Sequence, residues 1–257
     1  MLDRSIKPSP TGRIKFIQPK IETFVLDNSL AVYFNKKETL PIIQINILIP
    51  SGSIYDPKGK EGLSKLTSTL LEEGADGLSG FEISDKLELL GSILNITSNK
   101  EFSTISLLSL AENFEKSLQL ISKIILKPTF ADEDFERQKL KLITKNIQLE
   151  DDPSYVASNE FNKIIFLNSP YQSSSTGVND AIEKLTNSDI KDFFINRYLP
   201  NGSFIILVGN LKQKDSIKIL NNYFKDWQLK ESKNFDVCIN KTKKKIILID
   251  KPSAAQS

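Results

Sequence analysis

The stretch Leu40–Ala75, LPIIQINILIPSGSIYDPKGKEGLSKLTSTLLEEGA, places a strand directly before a helix. Ile43, Ile45, Ile47 and Ile49 alternate with Gln44, Asn46 and Leu48, the pattern of a central strand with one fully apolar face. After the turn Asp56-Pro57-Lys58-Gly59-Lys60 the period changes. Leu63, Leu66, Leu70 and Leu71 recur at helical spacing between Glu61 and Glu73, and Gly74 stands where a helix C-cap belongs.

Outward from this unit the same signals repeat. Upstream, ETFVLDNSLAVYFNKK reads as a hairpin around Asp27-Asn28-Ser29. Downstream, Ser79 with Glu82 forms a capping box, predicting a helix to Gly91 whose buried face is Phe81, Ile83, Leu87 and Leu90. SILNITSN and FSTISLLSL alternate like an antiparallel pair around Asn99-Lys100-Glu101. Helices are expected over Asn113–Leu126, Asp132–Glu150, Pro153–Leu167, Val178–Leu185, Ser188–Tyr198 and Gln213–Asp226, with strands over Ser203–Gly209 and Lys245–Asp250. Antiparallel hairpins in place of regular βαβ alternation predict an α+β domain, an antiparallel or mixed β-sheet with helices packed on one face. The chain divides into an extended N-terminal arm over 1–20, marked by Pro8, Pro10 and Gly12, one domain over 21–227, and a segment over 228–257. That last segment reads as a polar linker leading to KKIILID, the first strand of a second, missing or truncated domain.

Composition removes several chemistries. Among 257 residues there is no histidine, which excludes a Ser-His-Asp triad, a Cys-His pair and any histidine-ligated zinc site supplied by this chain. A single cysteine, Cys238, can form neither an internal disulfide nor a four-cysteine zinc site. The formal charge is +2, and the arginines are Arg4, Arg13, Arg137 and Arg197, a poor set for phosphate or guanine. Nucleic acid is therefore not an expected partner, and the run at Lys241 and Lys243–Lys245 reads as a solvated linker or strand edge. No apolar run reaches the ~18 residues of a membrane span, and the N-terminus lacks the apolar core of a secretory signal. The compartment stays open: periplasm if a signal has been removed, cytoplasm otherwise.

The order of these elements resembles the pitrilysin/insulinase family of zinc metallopeptidases, which includes the mitochondrial processing peptidases. The likeness rests on FVLDNSLAVYF, PSGSIYDPKGKEGLSKL, LELLGSILN, KIILKPTF, DDPSYVASNEFNKIIF, SPYQSSSTGV, DIKDFFINRYLPNGSFIILVGN and the terminal IDKPSAAQS, in the family's order. It implies a LuxS-like or processing-peptidase-like domain, the N-terminal half of a longer family member. Members carry His-x-x-Glu-His on the helix after the Gly-Leu pair. Two histidines one turn apart hold the metal, and the glutamate activates water. Here Lys65 and Thr69 stand at the histidines and Ser68 at the glutamate. The third ligand, a glutamate of the long helix, maps to Lys139–Asn146, KLKLITKN, which holds no carboxylate. The resemblance therefore implies no catalytic residue, no bound cofactor and no metal in this chain, with zinc only in a partner subunit.

LTSTLLEEGA resembles the motif helix of a bacterial subset that forms the silent half of a two-subunit peptidase. That implies a non-catalytic component of a zinc metalloendopeptidase, paired with a homologous HxxEH-bearing subunit and binding unfolded peptide in a shared chamber, often as an added edge strand. The alternative is a structural or assembly protein that keeps the fold without any role in proteolysis. Other clusters have plainer readings. Glu72 and Glu73 read as a solvated helix end, and Glu150, Asp151 and Asp152 as the junction of two helices with Pro153 at N1. Lys65 with Ser68 as a Ser-Lys nucleophile pair lacks an oxyanion hole. Tyr171, Phe193, Phe194, Tyr198 and Phe204 read as core packing.

Overall fold

In a computed structural model of the chain the described residues are 12, 17–230 and 246–249. Most of the arm over 1–20, and most of the segment over 228–257 with Cys238 and the lysine run, lie outside them. Strands β1 (Glu22–Val25) and β2 (Ala31–Lys36) form the expected hairpin, turned at Ser29 with a left-handed φ of 66°. Strand β3 (Ile42–Ile49) follows, then helix α1 (Leu63–Leu70), the two-residue strands β4 (Gly74–Ala75) and β5 (Leu78–Ser79), and α2 (Gly80–Leu89). β6 (Ile93–Ser98) and β7 (Ser103–Leu110) precede α3 (Phe114–Leu126), α4 (Asp132–Glu150), α5 (Pro153–Ile165), α6 (Asn179–Ile182) and α7 (Asn187–Arg197). β8 (Phe204–Gly209) and α8 (Gln213–Phe224) end the described elements.

Six strands make one mixed sheet in the order β1-β2-β8-β3-β7-β6, in which β2 and β8 run parallel and every other pair is antiparallel. β8 thus inserts between β2 and β3, so the hairpin does not border the central strand. The alternation in β3 decides the layers. Ile43, Ile45, Ile47 and Ile49 are fully buried against Leu66, Leu70, Leu118 and Ile121 from the helical side. The opposite face carries Gln44, Asn46 and Leu48, each half-buried. Among the described residues no helix is long and apolar enough to cross a membrane.

Several expectations change. The helix expected over Glu61–Glu73 is shorter, and Gly74 is not its cap: it pairs with Ser79 in β4–β5, with Leu78 O so close that a Cβ at position 74 would lie 2.9 Å from it. Phe81 is 82% exposed; the capping box sets a register that turns Ile83 and Leu87 inward and leaves residue 81 on the far side of the helix. The aromatic group is not one cluster. Phe193 and Tyr198 are buried and Phe194 stacks on Tyr198, but Phe204 meets Tyr33 and Phe102 on the opposite sheet face, because it alternates with the buried Ile205. Tyr171 packs on Phe166 in a surface loop and donates to Glu101 Oε1. Of the closing strand, the described residues 246–249 are exposed and unpaired, while β1 and β6 hold both edges of the described sheet. The junction at Glu150–Asp152 is as read, with Asp152 Oδ1 accepting the Ser154 N–H at 2.8 Å and Pro153 opening α5.

Candidate functional site

α1 is held from outside its own sequence. Its N-cap, Gly62, has φ of +109° and no side chain to cap the first turn. Asp56 does so from the preceding turn: Oδ2 accepts the N–H of Gly62 at 2.8 Å and Oδ1 that of Ser64 at 2.7 Å. Burial drives the Asp56 carboxyl from its ordinary 3.8 up to about 7, against the pull of those two N–H groups. Gly177 lies backbone to backbone on Gly62, so a Cβ at 177 would stand 2.4 Å from Gly62 Cα. α1 thus packs against β6, α4 and α7.

On this helix the three motif positions face different surroundings. Lys65 and Thr69 are half-buried, and Ser68 is fully buried. Ser68 Oγ and Thr69 Oγ1 both donate to the Lys65 carbonyl, at 2.8 and 3.0 Å, so both hydroxyls are spent on their own helix. Burial and the neighbouring Lys145 lower the pKa of Lys65, with Glu72 acting the other way. Lys145 belongs to the α4 window where the resemblance places the third ligand. The ends of that window turn elsewhere: Lys139 Nζ donates to Leu185 O at 2.9 Å, and the buried Asn146 amide donates to Thr176 O and Asn179 Oδ1, each at 3.2 Å.

These donors do not fit zinc. An ammonium at one ligand position, a second ammonium within its electrostatic reach and two hydroxyls already hydrogen-bonded offer neither imidazole nor carboxylate. Among the described residues no group of three His, Cys, Asp or Glu side chains could hold a metal ion.

The glutamates after α1 are not simply a solvated end. Glu73 bonds Arg137 and Gln138 of α4, tying the helix exit to the long helix. Glu72 keeps an exposed flank, yet its Oε1 accepts the N–H of Ile96 in β6 at 3.0 Å. Desolvation raises its pKa, opposed by the Ile96 N–H; Glu73 raises it further and Lys65 lowers it. The roles of Asp56 and Glu72 were missed in the sequence. An Asp-Pro turn six residues before a capless Gly-Leu helix start is a readable signal for Asp56. Glu72 has none, because its partner is 24 residues away across the fold.

Residues 31–177 match the family described as insulinase (peptidase family M16), and residues 184–257 match the peptidase M16 inactive domain. A relative named non-peptidase homolog YmxG of Helicobacter pylori is 26% identical over 191 residues, 74% of this chain and 44% of the relative. Cytochrome b-c1 complex subunit 1 of Bos taurus is 22% identical over 208 residues, 80% of this chain and 43% of that protein. Among solved structures, a peptidase M16 inactive domain from Pseudomonas fluorescens superposes with a TM-score of 0.80 at 25% identity, covering 85% of this chain and 53% of that one. A protease from Helicobacter pylori gives 0.79 at 20% identity, covering 86% and 54%. The chain spans about half the length of the relatives it matches. With more than half of its residues matched by the family's own pattern, on the same fold, this chain belongs to the insulinase (M16) peptidase family.

Proposed function

We propose that this chain is a non-catalytic M16 subunit that helps wall a chamber and binds extended peptide for a homologous partner bearing HxxEH and the zinc. The observation that carries the reading is the state of α1. The helix keeps its place beside the sheet edge, while Lys65, Ser68 and Thr69 offer no metal donor and no base. Support comes also from β6, an edge of the described sheet that packs beside α1, a surface that an unfolded chain can extend by backbone pairing. A relative named as a non-peptidase homolog is consistent with loss of hydrolysis.

The test is elemental analysis together with reconstitution. The isolated protein should hold no stoichiometric zinc and cleave no unfolded peptide, and mixing it with an HxxEH-bearing homologue should produce cleavage. About one tightly held zinc ion per chain, or a partner equally active without this protein, would refute the proposal. The similarity to a cytochrome b-c1 subunit favours a second reading, an assembly role without proteolysis. Under that reading the protein co-purifies with a stable complex, and its deletion leaves peptide cleavage intact while the complex is lost.

A further inference from the structure

Among the described strands β6 is an edge, and its register shows which of its backbone groups no described strand pairs. Asn99 N–H donates to Phe102 O at 2.9 Å across the β6–β7 turn. Alternating from that pair, residues 93, 95 and 97 direct their backbone groups to β7, while Leu94, Ile96 and Ser98 direct theirs outward. The outward Ile96 N–H is the one that Glu72 Oε1 accepts at 3.0 Å. Beside it a groove of about 300 Å³ separates the start of β6 from α2, lined by Glu72, Ile83, Leu87 and Leu94 among others. A peptide strand added to this edge would aim a carbonyl oxygen at the Ile96 N–H. Glu72 already supplies an oxygen there.

We propose that Glu72 is an intramolecular plug on the β6 edge, displaced when an extended peptide pairs with Ile96, and that Lys65 receives the displaced carboxylate. The inference rests on the peptide-binding reading above. Three observations carry it. The Glu72 oxygen sits on an outward N–H that no described strand contacts. Glu72 and Lys65 already attract one another, each shifting the other toward its charged form. The Lys65 ammonium makes no hydrogen bond or ion pair among the described residues, so it has capacity to accept a carboxylate. In this arrangement the first lost metal-ligand position has become the resting place of a gate.

The experiment compares wild type with Glu72→Ala, Glu72→Gln and Lys65→Met. It reads amide hydrogen exchange at Ile96 and binding of fluorescein-labelled β-casein, an unfolded chain, by anisotropy. Losing one hydrogen bond to a charged acceptor should speed Ile96 exchange by about tenfold in Glu72→Ala, and freeing the edge should tighten casein binding by roughly three- to tenfold. Glu72→Gln keeps an oxygen acceptor and should keep slow exchange, while Lys65→Met should weaken casein binding by leaving the displaced carboxylate unpaired. Unchanged Ile96 exchange in Glu72→Ala would overturn the plug. Faster exchange with unchanged or weaker casein binding would overturn its role as a gate. If no variant binds casein although Ile96 exchange is accelerated in Glu72→Ala, the peptide reading fails and the gate falls with it.

Discussion

Asp56 shows how one half-buried side chain, its carboxyl turned inward onto backbone N–H groups, couples this fold to pH. Its carboxyl, raised by burial from 3.8 to about 7, binds a proton more tightly in the folded chain than in the unfolded one. Between those values the folded state carries more protons, so the contribution of Asp56 to stability is greatest at the acid end and falls as pH rises from about 4 through about 7. This is the reverse of a salt-bridged carboxylate, whose contribution is lost on acidification. The expected outcome is that the thermal midpoint of wild type exceeds that of Asp56→Ala by most near pH 4.5, the gap narrowing toward pH 7.5. Calorimetry or circular-dichroism melts at matched ionic strength would check it. A gap that widens with pH would mean that the N–H groups of Gly62 and Ser64 dominate and hold the carboxyl ionised. Asp56→Asn adds a control, since its amide keeps one acceptor but presents a donor to the second N–H.

At the scale of the element, the Ser68 and Thr69 hydroxyls of α1 are both bonded to the Lys65 carbonyl of their own helix. Position 68 has closed over: Ser68 has no exposed surface, and its hydroxyl bonds within the helix. Ser68→Glu would bury a carboxylate without a partner, at a cost on the order of 3 kcal/mol or more. Thr69→His, at a half-exposed position, should cost less than about 1 kcal/mol. Urea unfolding of the two single variants would separate them, and equal losses would show that position 68 still opens onto a cleft with room for a side chain. The same helix shows where local sequence is readable. Leu63, Leu66 and Leu70 announce the buried face, and Ser79 with Glu82 announces the start of α2, because spacing and capping are local physics. The end of α1 was misread at Gly74, since what stops the helix there is strand pairing of Gly74–Ala75 with Leu78–Ser79 and a bridge from Ala75 to Pro128. Glu72 acquires its partner only when β6 docks beside α1, and β8 enters between β2 and β3 from more than 150 residues away. Such placements are decided by packing of complete elements, which no window of sequence contains.

Across the whole molecule, the first hairpin and the last described helix close on each other. Asn28 Nδ2 donates to Phe224 O at 3.0 Å and to Trp227 O at 3.1 Å, and Asp27 N–H donates to Asn221 Oδ1 at 3.0 Å. Trp227, the single tryptophan, is 4% exposed and donates its indole N–H to Tyr198 O at 2.8 Å. The three hairpin-to-helix contacts join residues nearly 200 positions apart, while Trp227 to Tyr198 spans 29, and from them we propose a domain limit near residue 227. A fragment covering 17–230 should therefore unfold cooperatively, with the blue-shifted emission of a buried indole and a midpoint within a few degrees of the longer chain. Ending the fragment at Phe224 removes the Trp227 indole and should cost about 3–5 kcal/mol, the range for deleting a buried large aromatic. Trp227→Phe within the 17–230 fragment keeps an aromatic ring but loses the N–H to Tyr198 together with part of the buried ring volume, so it should cost less than the truncation. Solvent-exposed indole emission from the 17–230 fragment, or unfolding without a cooperative transition, would show that residues beyond 230 complete this core and that the domain limit lies further along the chain.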